Sequence, residues 1–227
     1  ATSEAVVSDR QKELGVCVVN IGASTTNMVV YEEGDALHTS VLPIGSDHIT
    51  SDIAIGLRTS IDVAEQVKLH HATALPSEVA KKEEIHLGEL GAPEDEVVGR
   101  RFVADITEAR VQEIFEHVDR ELQKIDRSGM LPAGVVLTGG GSKLAGMLEA
   151  AKTTLRLPVS LGTPIGITSV IDRANDPSMS TAIGLVLWGY HIRGSSNGNK
   201  FGDLFGKLGD MDKISSGLKK LFKSIKP

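Results

Sequence analysis

Two short glycine-containing loops follow apolar runs in this 227-residue chain, and each could bring backbone close to a bound anion. The first loop is Gly22-Ala23-Ser24-Thr25-Thr26, between apolar runs at 14–20 and 28–31. The second is Gly139-Gly140-Gly141, between the apolar run 134–137 and a predicted helix. Glycine lets backbone N–H groups approach a phosphate, and a following helix turns its positive end toward that phosphate. Either loop alone is weak evidence, because many turns between strands and helices contain glycine.

Glu65 and Lys68 stand three residues apart on a predicted helix. They could be a solvated ion pair worth a few tenths of a kcal/mol, or they could hydrogen-bond a nucleoside. The seven histidines are scattered, and no Cys or carboxylate stands at metal-ligand spacing from them. We therefore predict no metal site. Because no Ser/His/Asp set or P-loop is present either, we assign no catalytic residue.

Composition places the chain among globular proteins with a substantial core, since 41% of its residues are hydrophobic. Its one cysteine, Cys17, lies in an apolar run and is interpreted as a small buried hydrophobe, which favours a reducing, cytosolic setting. The net charge of −6 is unevenly distributed. Residues 200–227 hold seven Lys and three Asp, a charge of +4, so the other 199 residues carry −10. An acidic body argues against nucleic-acid binding, and a basic tail suggests a separate role.

The elements that must position these loops alternate between strand and helix. Residues 14–20, 28–31 and 36–42 predict a three-stranded meander, and 134–137 predicts a further buried strand. Ser46 or Asp47 could cap one helix, and Thr59 or Ser60 the next. We expect a strand at 97–103 and the longest helix at 105–125. This order predicts an α/β fold with a mixed sheet.

A basic amphipathic helix is predicted near the end of the chain, behind the linker 194–210. Six apolar residues between Met211 and Ile225 fall within an arc of roughly 100°. A helix of about 22 Å is too short to cross a hydrocarbon core of ~30 Å, but it suits an in-plane membrane anchor. The residues predicted to contact an anionic membrane are Leu218, Lys219, Lys220, Leu221, Phe222, Lys223 and Ile225. The alternative is a helix that packs on its own domain or on a partner.

Taken in order, the motifs resemble the second half of FtsA, the bacterial cell-division protein of the actin/Hsp70 superfamily. The resemblance covers nearly the whole chain. It rests on residues 20–27, the segment 42–54, Ala64-Glu65 with Val67-Lys68, the run 136–142, Asn175-Asp176-Pro177 and residues 181–184. The terminal amphipathic helix also resembles the membrane-targeting sequence of that family.

The resemblance implies an actin-like (ribonuclease H-like) mixed sheet with an inserted smaller α/β subdomain and a C-terminal amphipathic helix. The core subdomain would comprise residues 1–49 and 128–193, the inserted one 50–127, and the membrane-targeting helix 211–226. By the same resemblance ATP and Mg²⁺ are the expected cofactors. Residues 22–26 would form the second phosphate loop, Glu65 and Lys68 would face the adenosine, and Gly139, Gly140 and Gly141 would pass under the base.

Partners follow from the resemblance as well. The family's smaller subdomain receives the C-terminal peptide of the tubulin-like protein FtsZ, and Arg110 matches an arginine near that surface. Its alternative role is that of a solvated helix arginine. The family role is a scaffold that self-assembles and tethers FtsZ to the inner face of the cytoplasmic membrane at the division site. Localisation would then be cytoplasmic and peripheral to that membrane.

Two departures from the family pattern bear on catalysis. The usual Asp-x-Gly-Gly-Gly-Thr-x-Asp has Asn20, Ala23, Ser24 and Asn27 here, so a charge that would help hold Mg²⁺ is missing. The chain also begins where the second half of the family begins, so only half of the ATP cleft is expected and at most weak ATPase activity. The alternatives are another actin-like adaptor, such as a pilus-assembly platform protein, or a phosphotransferase of the same superfamily.

Overall fold

The computed structural model describes residues 1–165 and 172–195. The tail residues predicted to contact a membrane, from Leu218 to Ile225, lie outside the described residues. In chain order the elements are α1 (Thr2–Val6), α2 (Asp9–Leu14), β1 (Val16–Ile21), β2 (Thr26–Glu32), β3 (Asp35–Leu42), α3 (Ser46–Leu57), α4 (Ile61–His71), β4 (Glu84–His86), β5 (Val97–Gly99), α5 (Arg100–Lys124), β6 (Val135–Thr138), α6 (Met147–Leu155), β7 (Val159–Leu161) and α7 (Ser180–Ser195).

Five strands form one sheet in the order β3-β2-β1-β6-β7. The pairs β1–β2 and β2–β3 are antiparallel, whereas β1–β6 and β6–β7 are parallel. The predicted α/β class with a mixed sheet is therefore confirmed, together with its three-stranded meander. β1 can lie at the centre because its residues are almost all apolar and buried, as a strand covered on both faces requires.

The parallel pairing of β1 with β6 brings the two glycine loops to one edge of the sheet. Asn20 pairs with Thr138 at the carboxyl ends of these two strands, and each loop follows its strand directly. In open α/β sheets, ligands bind outside the carboxyl ends of the strands. The topology therefore places both loops where a ligand is expected.

The largest part of the core lies between one face of the sheet and helices α3, α5 and α6. α5 contributes fully buried Ile114, Phe115, Val118 and Leu122, and strand β1 contributes Cys17. Burial raises the pKa of the Cys17 thiol to about 12, so this residue acts as a small hydrophobe. None of the helices in the described ranges combines the length and apolarity needed to span a bilayer.

The predicted strand at 97–103 is wrong in its second half. β5 ends at Gly99, and α5 begins at Arg100, five residues before the predicted start. Buried Val103 and Ala104 share a helical period with buried Thr107 and Val111, so packing draws these residues into the helix. The short strand β4 pairs with β5 in a separate two-stranded sheet.

The chain divides into two units, residues 1–186 and residues 187–227. The sheet and both glycine loops lie in the first unit. Between residues 50 and 127 the structure contains the end of α3, then α4, the β4–β5 pair and α5. The assignment of this segment to a separate subdomain stays a prediction.

Candidate functional site

The turn between β1 and β2 is held by its carbonyl groups. Ser46 N–H donates to the carbonyl of Gly22 at 3.0 Å, and Asp47 N–H donates to the carbonyl of Ala23 at 2.8 Å. The Ser46 hydroxyl adds a second bond to Gly22 at 3.1 Å. Across the turn, Gly22 N–H donates to the carbonyl of Thr25 at 2.9 Å. The first N–H groups of α3, which a helix leaves unpaired, are thus satisfied by the turn.

Gly45 is the N-cap residue of α3, where Ser46 or Asp47 had been predicted. The prediction was wrong because the N–H groups of both residues already bind the turn from inside the first helical turn. A Cβ on residue 45 would lie 2.4 Å from the carbonyl oxygen of Ala23 and 2.7 Å from that of Gly22. Only glycine lets the helix approach the turn this closely.

The backbone N–H groups of the turn, unlike its carbonyl groups, are not bound to α3. Among the described residues, no hydrogen bond takes up the backbone N–H of Ala23, Ser24 or Thr25. The Ser24 hydroxyl donates to the Asp47 carboxylate at 3.3 Å, and Ala23 and Ser24 are exposed. Consecutive N–H groups without a protein partner form the kind of concavity that binds a phosphate. The predicted anion-binding turn therefore has suitable donors.

Thr26 differs from the other residues of the predicted loop. Its side chain is fully buried, and its hydroxyl donates to the carbonyl of Ile44 at 2.8 Å. It fastens the start of β2 to the segment before α3 and has no path to a ligand.

Glu65 and Lys68 are part of a bridge between α4 and α3 instead of a solvated surface pair. Lys68 Nζ lies 2.7 Å from Glu65 Oε2 and donates to the Thr50 hydroxyl at 2.8 Å. Thr50 donates to the same Glu65 oxygen at 2.6 Å, and Lys68 also reaches the carbonyl of Ser46 at 3.3 Å. Only 7% of Lys68 is exposed. Partial burial acts to raise the pKa of Glu65, but the hydrogen bonds from Lys68 and Thr50 outweigh it and lower that pKa.

The second glycine loop is packed against the end of β1. Gly139 has φ +87° and ψ 168°, a conformation almost restricted to glycine. A Cβ there would lie 2.3 Å from Asn20 Oδ1, and a Cβ on Gly141 would lie 2.5 Å from Ile21. By contrast, a Cβ on Gly140 would meet no atom within 4 Å. Two of the three glycines are therefore needed for packing, and Gly140 leaves open space.

A cavity of about 600 Å³ joins these parts. It is lined by six of the predicted residues, namely Gly22, Ala23, Glu65, Lys68, Gly140 and Gly141. Ser24, Thr25, Thr26 and Gly139 are not among its lining residues. Thr26 hydrogen-bonds the carbonyl of Ile44, and Gly139 packs against the end of β1. Its size lies within the range of 300–1,000 Å³ usual for small-molecule pockets.

The cavity also has cationic residues that the sequence did not single out. Lys143 follows the glycine loop, and its Nζ lies 2.7 Å from Asp176 Oδ2. Hydrogen bonds from Lys143 and from Ser178 lower the pKa of Asp176 to about 2. Arg100 donates to the carbonyl of His71 at 2.9 Å and pairs with Glu83. Lys143 could have been found from its place beside the loop, whereas Arg100 reaches the cavity only through the tertiary fold.

Asn20 makes neutral contacts at the end of β1. Its Nδ2 donates to the Thr181 hydroxyl at 3.0 Å and to the Thr2 hydroxyl at 3.4 Å. Its side-chain amide is neutral, whereas a carboxylate at this position would carry a negative charge. Within residues 1–165 and 172–195, no group of three or more His, Cys, Asp or Glu side chains is placed to hold a metal ion.

Arg110 lies on α5, away from the cavity lining, and is bound by two carboxylates. Its Nε and its second terminal nitrogen donate to the two oxygens of Asp52 on α3, at 2.6 and 2.9 Å. Its remaining terminal nitrogen donates to Glu113 at 2.5 Å. These hydrogen bonds raise the pKa of Arg110. The planar guanidinium therefore fastens α5 to α3, and it is not simply a solvated helix residue.

Comparison with known protein families gives a match that covers most of the chain. The family model described as cell division protein FtsA matches residues 17–184. The cell division protein FtsA of Neisseria meningitidis serogroup B is 42% identical over 190 residues, covering 82% of this chain and 45% of that protein. That of Pseudomonas aeruginosa is 38% identical over 189 residues, covering 83% and 45%. The chain thus spans about half the length of the curated relatives it matches.

Solved structures with the same fold include MreB5 of Spiroplasma citri bound to ADP, with a TM-score of 0.67. It is 16% identical, and the match covers 87% of this chain and 60% of MreB5. An archaeal actin homolog matches with a TM-score of 0.53 at 16% identity, covering 81% of this chain and 50% of the homolog. At these identities the likeness concerns the fold alone, and it confirms the predicted actin-like architecture.

Replacing Gly139 and Gly140 one at a time is expected to distinguish the glycine that packing requires from the glycine that borders open space. Gly139→Ala should lower the free energy of unfolding by roughly 1–3 kcal/mol, because it combines backbone strain with a clash against Asn20. Gly140→Ala is the matched control and should change that free energy by at most about 0.5 kcal/mol. Urea denaturation followed by circular dichroism measures both. Equal stability of the two variants would contradict the packing described for residue 139.

Proposed function

The chain belongs to the FtsA family of cell division proteins, and from that premise we propose that it is part of a scaffold that tethers FtsZ to the membrane under the control of ATP. The observation that carries the proposal is the single cavity shared by the turn after β1, the Glu65–Lys68 pair and the glycine loop. Three motifs far apart in sequence converge there. They supply groups that suit the phosphates, the sugar and the base of a nucleotide.

ATP is the proposed ligand of this cavity. Its phosphates would bind the N–H of Ala23, which lines the cavity, and those of Ser24 and Thr25, which follow it in the turn outside the lining. The ammonium groups of Lys68 and Lys143 would offset negative charge. The carboxylate of Glu65 is partly exposed and accepts hydrogen bonds, so it could take those of a ribose. Gly140 presents bare backbone, against which a flat base could lie. The 227 residues would form one wall of the complete site.

ATP would control conformation and assembly more than it would be hydrolysed. Mg²⁺ would enter with the phosphates, because position 20 offers an amide and no negative charge. The Asn20 amide nitrogen donates to Thr2 and Thr181, and its neutral amide oxygen would not act as a base toward an attacking water. Self-assembly and a role at the septal Z-ring are proposed from family membership.

The FtsZ peptide would dock on the α3–α5 surface, defined here as Ile55, Gly56, Phe102, Ile106 and Arg110. Ile55 is 76% exposed and Phe102 is 50% exposed. Gly56 provides the close contact between the helices, since a Cβ there would lie 2.5 Å from Ile106 and 4.0 Å from Phe102. The exposed apolar side chains suit a peptide with apolar residues, and an acidic residue of the peptide would compete with Glu113 for Arg110.

Membrane attachment would come from the amphipathic helix at 211–226. The +4 charge of residues 200–227 favours an anionic surface. One such helix should bind weakly, so attachment would need several tails acting together, as in an assembled scaffold. The protein would then work peripherally on the inner face of the cytoplasmic membrane.

Addition of Mg–ATP to the ¹⁵N-labelled chain is expected to shift the amide resonances of residues 22–25, 65, 68 and 139–141. These shifts should saturate only at high ATP concentration, because one wall of the site is present. Gly140→Val should abolish them by filling open space. Gly189→Val, where a Cβ also meets no close neighbour among the described residues, should leave them unchanged. The absence of shifts at all three segments in the unmodified chain would refute the ATP proposal.

A synthetic C-terminal peptide of FtsZ is expected to bind the α3–α5 surface, as measured by fluorescence anisotropy. Phe102→Ala and Arg110→Gln should each weaken binding about tenfold, a typical effect for a central interface residue. Val41→Ala is the control, because Val41 is 66% exposed on strand β3, outside this surface. If the unmodified chain fails to bind the peptide at high micromolar concentration, the docking proposal is wrong. The role of another actin-like adaptor would then be the better explanation.

Cosedimentation with anionic liposomes is expected for the intact chain and should weaken as salt rises. Leu221→Glu should abolish it by placing a charge on the apolar face of the tail helix. Ser216→Glu introduces the same charge on the opposite face and should reduce binding only slightly. Equal loss in both variants would mean that charge alone decides binding and that the amphipathic helix is not the anchor.

A further inference from the structure

We propose that His48 is a positioning residue that holds the phosphate-binding turn through the N-cap of α3, an inference that rests on the proposed nucleotide function. The backbone N–H of Gly45 donates to His48 Nδ1 at 3.1 Å. His48 lies in the first turn of α3 and is half-buried. It does not line the cavity, so its action on a ligand would be indirect.

The N-cap residue explains why a side chain at position 48 is needed. A serine or aspartate at an N-cap accepts an N–H from the first turn, but Gly45 has no side chain to do so. Instead, the His48 N–H donates to the carbonyl of Gly45 at 3.2 Å, and the ring accepts from the N–H of Gly45. The ring thus supplies the reciprocal half of a capping box, a place that Glu or Gln usually takes.

Three successive N–H groups are thereby fixed together. Gly45 N–H binds the His48 ring, Ser46 N–H binds the carbonyl of Gly22, and Asp47 N–H binds the carbonyl of Ala23. The ring bond sets the orientation of the peptide group that enters the helix. That orientation decides whether the next two N–H groups point at the turn. The unpaired N–H groups of the turn keep their direction only while its carbonyls stay bound.

The contact also fixes the state of the ring. Since Nδ1 accepts a hydrogen bond, the ring proton lies on Nε2. Asparagine can place its Oδ1 close to the position of Nδ1, whereas leucine has a similar size and no acceptor. These two residues therefore separate the acceptor from the bulk of the side chain.

The experiment compares the unmodified chain with His48→Leu and His48→Asn by amide hydrogen exchange, followed by NMR, and by Mg–ATP titration. In His48→Leu the exchange of Gly45, Ser46 and Asp47 N–H should speed up about fivefold, and ATP affinity should fall about fivefold, the usual effect of losing an N-cap. His48→Asn should restore both. If His48→Leu fails to fold, His48→Phe takes its place, because it keeps a planar ring and has no acceptor.

Either of two outcomes would overturn the inference: no change in exchange or affinity in His48→Leu, or equal losses in His48→Leu and His48→Asn. Failure of the ATP proposal is distinguishable from these. If the unmodified chain binds no ATP, the exchange rates of the three N–H groups still decide whether the acceptor at position 48 holds the turn.

Discussion

The docking of two carbonyl groups onto the start of α3 is the contact on which the site depends. A peptide group has two polar ends that point in opposite directions. By fixing the carbonyls of Gly22 and Ala23 against Ser46 and Asp47, the protein leaves the N–H groups of the turn to face outward. The helix does not meet the proposed phosphate with its own terminus. The N–H groups of that terminus bind the turn, and the turn would bind the ligand.

α3 extends this arrangement beyond the turn. Thr50, one turn along the helix, belongs to the bridge with Glu65 and Lys68. Asp52 binds Arg110 on α5, at the proposed peptide surface. One helix therefore contacts the proposed phosphate turn, the proposed nucleoside pair and the proposed docking site.

The sequence predicted the parts of the fold that local pattern decides. Apolar runs located β1 and β6, and glycines located both loops, because burial and, at Gly139, a positive φ leave a mark on residue type. The start of α5 was missed, since the residues around Val103 suit either a strand or a helix until their packing partners are known. Gly45 as a cap and Arg100 at the cavity depend on neighbours distant in sequence. Glu65 and Lys68, which the motif order grouped with the glycine loops, line the same cavity as Gly22 and Gly140, although their bridge with Thr50 has no sequence signature.

Cys17 has a practical consequence for work on this protein. It is the only thiol in the sequence, and it lies fully buried in the central strand with a pKa of about 12. Thiol reagents attack the thiolate, so the folded chain should behave toward maleimides as if it had no cysteine. A single cysteine introduced at the surface could then carry a spin label or dye without removal of the natural one. Modification of Cys17 itself would report the moment when the centre of the sheet opens.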